Sequence, residues 1–294
     1  MTNPWIEAMR LRTLPVSVAG VIAGTACAIY NHSFNWMPAL CCLLFALGAQ
    51  IASNFANEYF DFRNGLDRKG RDGFRRGVTE GDISPAAMFR AIFVTLFLSA
   101  IPGCLLIIWG GWWMVPVGIC VAIFAMAYSA GPYPLSHHGL GDIAVIIFFG
   151  LLPVILTAWL QDHSPALLGL SVPTGLGVGL LAANVLIVNN YRDADDDRKV
   201  GKITTVVRFG RRRMAGVYLA FSFIGLCLLS APVSGISIFF RLVPLCLIPA
   251  AIRNYHTLTN SRGAALNNLL KLTSILLLIA SAALLAESII FALI

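Results

Sequence analysis

Charge is what this sequence has least of. Asp, Glu, Lys and Arg make up 12% of its 294 residues, against 58% hydrophobic residues, and the mean hydropathy is +0.79. A water-soluble domain carries roughly a quarter charged residues, so that class is excluded. No C-x-x-C spacing occurs either. Cys27, Cys41, Cys42, Cys104, Cys120, Cys227 and Cys246 lie in apolar runs and only Cys41 and Cys42 adjoin. That argues against a zinc or dithiol site and leaves them as small apolar packing residues. The first apolar run, with Arg10 and Arg12 before it and Ala26-Cys27-Ala28 near its end, is followed by no soluble stretch, so it does not read as a cleaved export signal. With no soluble basic fold to carry the net charge of +7, a nucleic-acid partner is not expected.

What is present is a series of apolar runs. They recur at about 13–30, 37–60, 86–109, 112–130, 142–160, 166–190, 214–231, 234–252 and 272–293, each near the ~18–20 residues a helix needs to cross a bilayer core. The expected fold is therefore all-α and polytopic, about nine transmembrane helices in one domain covering 1–294. Lys and Arg are absent from the connections near 31–36, 110–111, 161–165 and 232–233. They crowd the other side instead, at Arg10 and Arg12, at Arg63 to Arg90, at Arg192 to Arg213, and at Arg253, Arg262 and Lys271. Positive residues mark the cytoplasmic side, which places the N-terminus there, in a bacterial cytoplasmic (inner) membrane. Arg241 is the exception.

That asymmetry does not account for the acidic residues. Of fourteen, ten fall in two stretches, from Glu58 to Asp82 and from Asp193 to Asp197. Both lie at the inner end of an even-numbered span. Both begin alike, with Asn57-x-x-x-Asp61 and Asn189-x-x-x-Asp193, the second extended to Asp197. Spacing of i, i+4 sets these side chains on one helix face. A repeated face in the two halves of a membrane chain is a recurrent way to build a central site.

Clustered carboxylates repel unless a cation compensates them, and Asp and Asn oxygens suit a hard ion such as Mg2+. Mg2+ leaves positions for phosphate oxygens, so two acidic faces are expected to grip one diphosphate between them. Arg68, Arg71, Arg75 and Arg76 on one side, with Arg198, Lys199, Lys202 and Arg208 on the other, are placed to bind its remaining oxygens. Neutralised in this way, the diphosphate becomes a leaving group. Asp72, Glu80 and Asp82 follow no such periodicity and read as solvated loop residues. Asp196 lies off the stripe, and a salt bridge to Arg192 or Lys199 suits it as well as a metal. Arg211, Arg212 and Arg213 read as topology anchors. A Gly- and Pro-punctuated segment, 128–142, supplies Tyr128 or Tyr133 to hold an aromatic ring. Its adjacent His137 and His138 read as surface residues.

The stretches NEYFDFRNGLD (57–67), NNYRDADDDRKVGK (189–202) and TTVVRFG (204–210) resemble the two signatures of UbiA-type intramembrane prenyltransferases. Arg10 to Pro15, Gly81 to Pro85, Gly139 to Asp142 and Phe148 to Gly150 extend the likeness over nearly the whole chain and point to the naphthoate branch of that superfamily. The resemblance implies a helical fold around a central cavity, with Mg2+ bridging carboxylates to a polyprenyl diphosphate. Asn57, Asp61 and Asp67 match the first signature; Asn189, Asn190, Arg192, Asp193 and Asp197 fall in the second. It implies Asp61, Asp67, Asp193 and Asp197 as metal ligands, with Asp61, Asp193 and Asp197 central to catalysis. The implied reaction is prenylation of 1,4-dihydroxy-2-naphthoate with loss of diphosphate and carbon dioxide. Glu58 departs from the usual Asp. Rival readings are another aromatic acceptor, such as 4-hydroxybenzoate or homogentisate, an ion-coupled transporter, and a phosphatidyltransferase. The transporter predicts carboxylates at the bilayer midplane rather than at span ends; the phosphatidyltransferase predicts one acidic motif, not two.

Overall fold

A computed structural model describes residues 3–69, 75–231 and 241–293 of the chain. All regular structure among them is helical. The principal helices are α1 (Leu14–Tyr30), α2 (Trp36–Arg63), α3 (Pro85–Leu105), α4 (Met114–Ala127), α5 (Gly141–Trp159), α6 (Ala166–Lys199), α7 (Arg211–Leu229), α8 (Ile248–Asn260) and α9 (Leu266–Leu293). Local chemistry sets several starts. Asn35 accepts from the Met37 amide ahead of α2, and Ser84 accepts from the Ala87 amide ahead of α3, with Pro85 in the first turn, as N-caps require.

Among the described residues six helices, α2, α3 with its extension to Gly110, α5, α6, α7 and α9 with its lead-in from Gly263, are long and apolar enough to cross a membrane. Helices α1 and α4 are shorter, at 17 and 14 residues. The span expected at 234–252 falls partly outside the described residues. Pro173 sits inside an unbroken α6.

At 28 and 34 residues, α2 and α6 run roughly 42 and 51 Å at 1.5 Å per residue. A hydrocarbon core is roughly 30 Å thick. Both helices therefore project their polar C-terminal turns beyond it, and those turns carry the two acidic stretches.

Helix α6 is the hub, with most of its apolar length buried. Backbone contact at glycine holds it there. A Cβ on Gly150 of α5, within the π-helical turn Ile146–Leu151, would lie 2.3 Å from the Gly179 Cα and 2.4 Å from the Gly175 carbonyl. On the other flank, Gly177 and Gly225 bring α6 against α7 in the same way. Helices that share lipid as solvent gain little from apolar burial and associate through such close approach. Around the outside, Phe93, Phe97, Ile101, Ile108, Ile119 and Ile123 of α3 and α4 are exposed, with Trp112 at the rim.

Arg241, out of place by topology, is buried. Its guanidinium donates to the carbonyls of Ala231 and Leu229 and to the Tyr30 hydroxyl, and lies 3.5 Å from Glu287. It is a clasp between the ends of α1, α7 and α9, on the side away from the acidic stretches.

Candidate functional site

The C-terminal turns of α2 and α6 meet at one end of the bundle. Asn57 and Asp61 are both buried on one face of α2, and Asn190, Asp193 and Asp197 are buried on α6. One polar cavity of about 130 Å³ is lined by Asn57, Asn189, Asn190, Asp193, Asp197 and Lys202, together with Arg10, Arg76 and Tyr128. Residues of both helices thus line one space, with Asn57 rather than Asp61 on its α2 side.

Within the first stretch Arg76 is the tie. Its Nη1 donates to the Asn57 amide oxygen at 3.2 Å, its Nε lies 3.4 Å from Asp67 and its Nη2 lies 3.8 Å from Asp61. Arg10 also donates to the Asn57 oxygen, and the Asn57 amide donates to the Ser129 hydroxyl. Around Asp61 stand Lys202 at 3.6 Å and His137 at 3.5 Å. In the second stretch, Arg192 forks onto Asp193 and bridges it to Asn189 and to Asn267 at the start of α9.

Glu58 has another occupation. Its carboxylate accepts from the Val78 amide at 3.0 Å, at the start of the short helix Gly77–Glu80. That contact pins the chain carrying Arg76 and accounts for the longer arm. Of the cations expected at the diphosphate, Arg76 and Lys202 line the cavity. Arg68 reaches Asp196 at 2.6 Å, so it joins the two stretches at their exposed rim. Arg75 is turned to Asp82 at 2.6 Å, Arg198 to Asp195 and Lys199 to Asp196. Arg71 and Asp72 lie outside the described residues. Arg211 is more than an anchor, since it grips Asp195 with two nitrogens at 3.0 Å and lies over the Tyr191 ring.

Three residues that touch Asn57 or Asp61 escaped the sequence reading as site members. Arg10 and Ser129 approach through the fold alone. His137, expected at the surface, has 14% of its side chain exposed. Its neighbour His138 does sit apart, stacked on Tyr133 and bonded to the Pro134 carbonyl.

Beyond Gln50, Ser53, Tyr128, Val145 and Phe149, which line both spaces, the polar cavity gives onto an apolar one of about 350 Å³. It runs between α1, α2, α3, α4 and α5 to Leu106, Met114 and Leu160 near the opposite end. Tyr128 stands at the junction.

Among the described residues no three acidic, imidazole or thiol groups converge closely enough to cage a metal. A divalent ion held by these carboxylates would complete its shell with water and substrate oxygens, which is the habit of Mg2+. The donor set, buried Asp and Asn oxygens beside fixed cations, fits a metal-bound diphosphate.

Residues 17–279 match the model of the UbiA prenyltransferase family. The 1,4-dihydroxy-2-naphthoate octaprenyltransferase of Escherichia coli K12 is 39% identical over 217 residues, 71% of this chain and 69% of that protein. The Mycobacterium tuberculosis protein of the same name is 35% identical over 215 residues, covering 73% and 72%. Among solved structures, a UbiA homologue from Archaeoglobus fulgidus bound to GPP and Mg2+ superposes with a TM-score of 0.71, at 19% identity and over 99% of this chain and all of that one. The apo UbiA homologue from Aeropyrum pernix K1 gives 0.70 at 16% identity, over 98% and 99%. At such identities the two structures speak for the fold.

Proposed function

The chain belongs to the UbiA prenyltransferase family, and from that membership we propose that it transfers a polyprenyl group from its diphosphate to 1,4-dihydroxy-2-naphthoate. Diphosphate and carbon dioxide leave, and demethylmenaquinol is formed. The observation that carries the reading is the junction at Tyr128: a site of carboxylates, amides and cations opens directly onto an apolar chamber. A molecule with an anionic head and a long hydrocarbon tail matches both halves at once.

In this reading Asp61 with Asp67 and Asp193 with Asp197 would each hold one Mg2+, a pair of carboxylates from each stretch, and Asn57, Asn189 and Asn190 complete the oxygen lining. The ion would supply charge neutralisation that lets the diphosphate depart. Arg76, Arg192 and Lys202 fix the carboxylates and meet phosphate oxygens as they gain charge. As the allylic C–O bond breaks, its electron pair stays with diphosphate. The electron-rich naphthoate ring then forms the new C–C bond to the allylic carbon, and the bond to its carboxylate breaks, releasing carbon dioxide and returning the bonding pair to the ring, which regains aromaticity. Tyr128 orients the aromatic partner at the junction, and the apolar walls keep water from the cation. The excess of Lys and Arg on this side argues that the site faces the cytoplasm.

The test is product analysis. Membranes containing the protein, given the naphthoate and labelled polyprenyl diphosphate, should form the decarboxylated prenyl naphthoquinol with Mg2+ and none with EDTA. Product from 4-hydroxybenzoate or homogentisate, with none from the naphthoate, would overturn the acceptor.

A further inference from the structure

The two loops that close the site are docked on each other, and each sends one side chain to Asp61. The segment between α4 and α5 forms a tight turn at Leu135–His137, with the Ser136 amide on the Tyr128 carbonyl and the His137 amide on the Pro134 carbonyl. The segment between α6 and α7 donates its Ile203 amide to the His137 carbonyl at 3.0 Å. Gly139, at φ +74, sits where the Ile203 carbonyl passes 3.5 Å from the position a Cβ would take. One backbone hydrogen bond thus registers His137 against Lys202, the residue before Ile203. His137 Nε2 then stands 3.5 Å from Asp61 Oδ1, while Lys202 Nζ and Arg76 Nη2 stand 3.6 and 3.8 Å from Oδ2.

We propose that His137 is a positioning residue for Asp61, donating from Nε2 to Oδ1 so that the carboxylate keeps one orientation toward a metal-bound diphosphate. This rests on the metal reading given above. A carboxylate on a helix rotates about its χ2 torsion with little resistance; a donor on one oxygen removes that freedom. Partners of this kind orient the ligands of metal sites, and their loss typically costs about 10–100-fold in metal affinity or activity. The division of labour between adjacent histidines supports the assignment. His138 turns back to the Pro134 carbonyl at 2.8 Å and stacks on Tyr133, and so provides an internal control.

The experiment uses the full chain in detergent, as wild type, His137→Leu, His137→Gln, His138→Leu and Asp61→Ala. Two quantities are read: the MgCl2 concentration for half-maximal turnover, and Mn2+ affinity by electron paramagnetic resonance in the presence of inorganic diphosphate. His137→Leu should raise both constants about 10–100-fold. His137→Gln, whose amide reaches the same place, should recover part of the loss, and His138→Leu should match wild type. A His137→Leu protein with wild-type constants overturns the proposal, even where its melting temperature falls. Should that variant not fold, His137→Phe, which keeps a ring and has no donor, is read in its place, and wild-type constants in it overturn the proposal equally. Turnover and Mn2+ binding retained in Asp61→Ala would remove the metal reading itself, a result distinct from failure at His137.

Discussion

Arg192 grips the carboxylate of its own chain neighbour, Asp193, with Nε at 2.7 Å from Oδ1 and Nη2 at 2.8 Å from Oδ2. Both residues are buried, and the same guanidinium reaches Asn189 and Asn267. A planar fork can serve four acceptors at fixed angles, whereas an ammonium is a point charge. Arg192→Lys should therefore keep the charge and lose the geometry. We expect kcat/KM to fall roughly 10–100-fold, measured by steady-state prenyl transfer, with little change in the detergent-solubilised fold.

Asp61→Ala and Asp193→Ala should each abolish prenyl transfer while leaving helix content close to wild type, with a lower melting temperature because each strands a buried cation, Arg76 and Lys202 or Arg192. Each removes a carboxylate of the proposed clamp without opening the apolar packing. Turnover measured at saturating Mg2+ checks this; activity retained in either variant contradicts the clamp.

The apolar chamber predicts a change of chain length. Gly118 of α4 lines it, and a Cβ there would meet nothing within 4 Å. Gly118→Phe should place a ring in the path of the tail. KM for long polyprenyl diphosphates should rise several-fold while geranyl diphosphate is used as before, seen by mass analysis of products from a mixture of lengths.

Gly150→Leu should damage the fold rather than the chemistry. Its Cβ would sit 2.3 Å from the Gly179 Cα, backbone that no side-chain rotation can move aside. Forcing α5 from α6 should cost about 1–3 kcal/mol or more, read as a lower melting temperature in detergent.

Arg241 and Glu287 form the remaining test. Arg241→Met leaves a buried carboxylate without its cation and should cost about 3–5 kcal/mol. The double change Arg241→Met with Glu287→Gln should recover much of that stability. Thermal unfolding of the single and double variants decides it, and activity at permissive temperature should stay near wild type because the clasp lies away from the site.

The membrane character of the chain and the placing of its two acidic faces were legible in the sequence, because both depend on local pattern. Apolar run length decides what enters a bilayer, and i, i+4 spacing aligns Asn57 with Asp61 and Asn189 with Asp193 whatever else the chain does. What each charged side chain grips was not legible. Glu58 is engaged by the Val78 amide, Arg75 by Asp82, Arg241 by Glu287 across three helix ends, and His137 faces Asp61. Of these, the His137 and Arg241 contacts join residues far apart in the chain. They exist because glycine contacts let the helices close up and because two loops register through one hydrogen bond. Partner choice among charges is a property of that packing, which single-residue chemistry and periodicity do not contain.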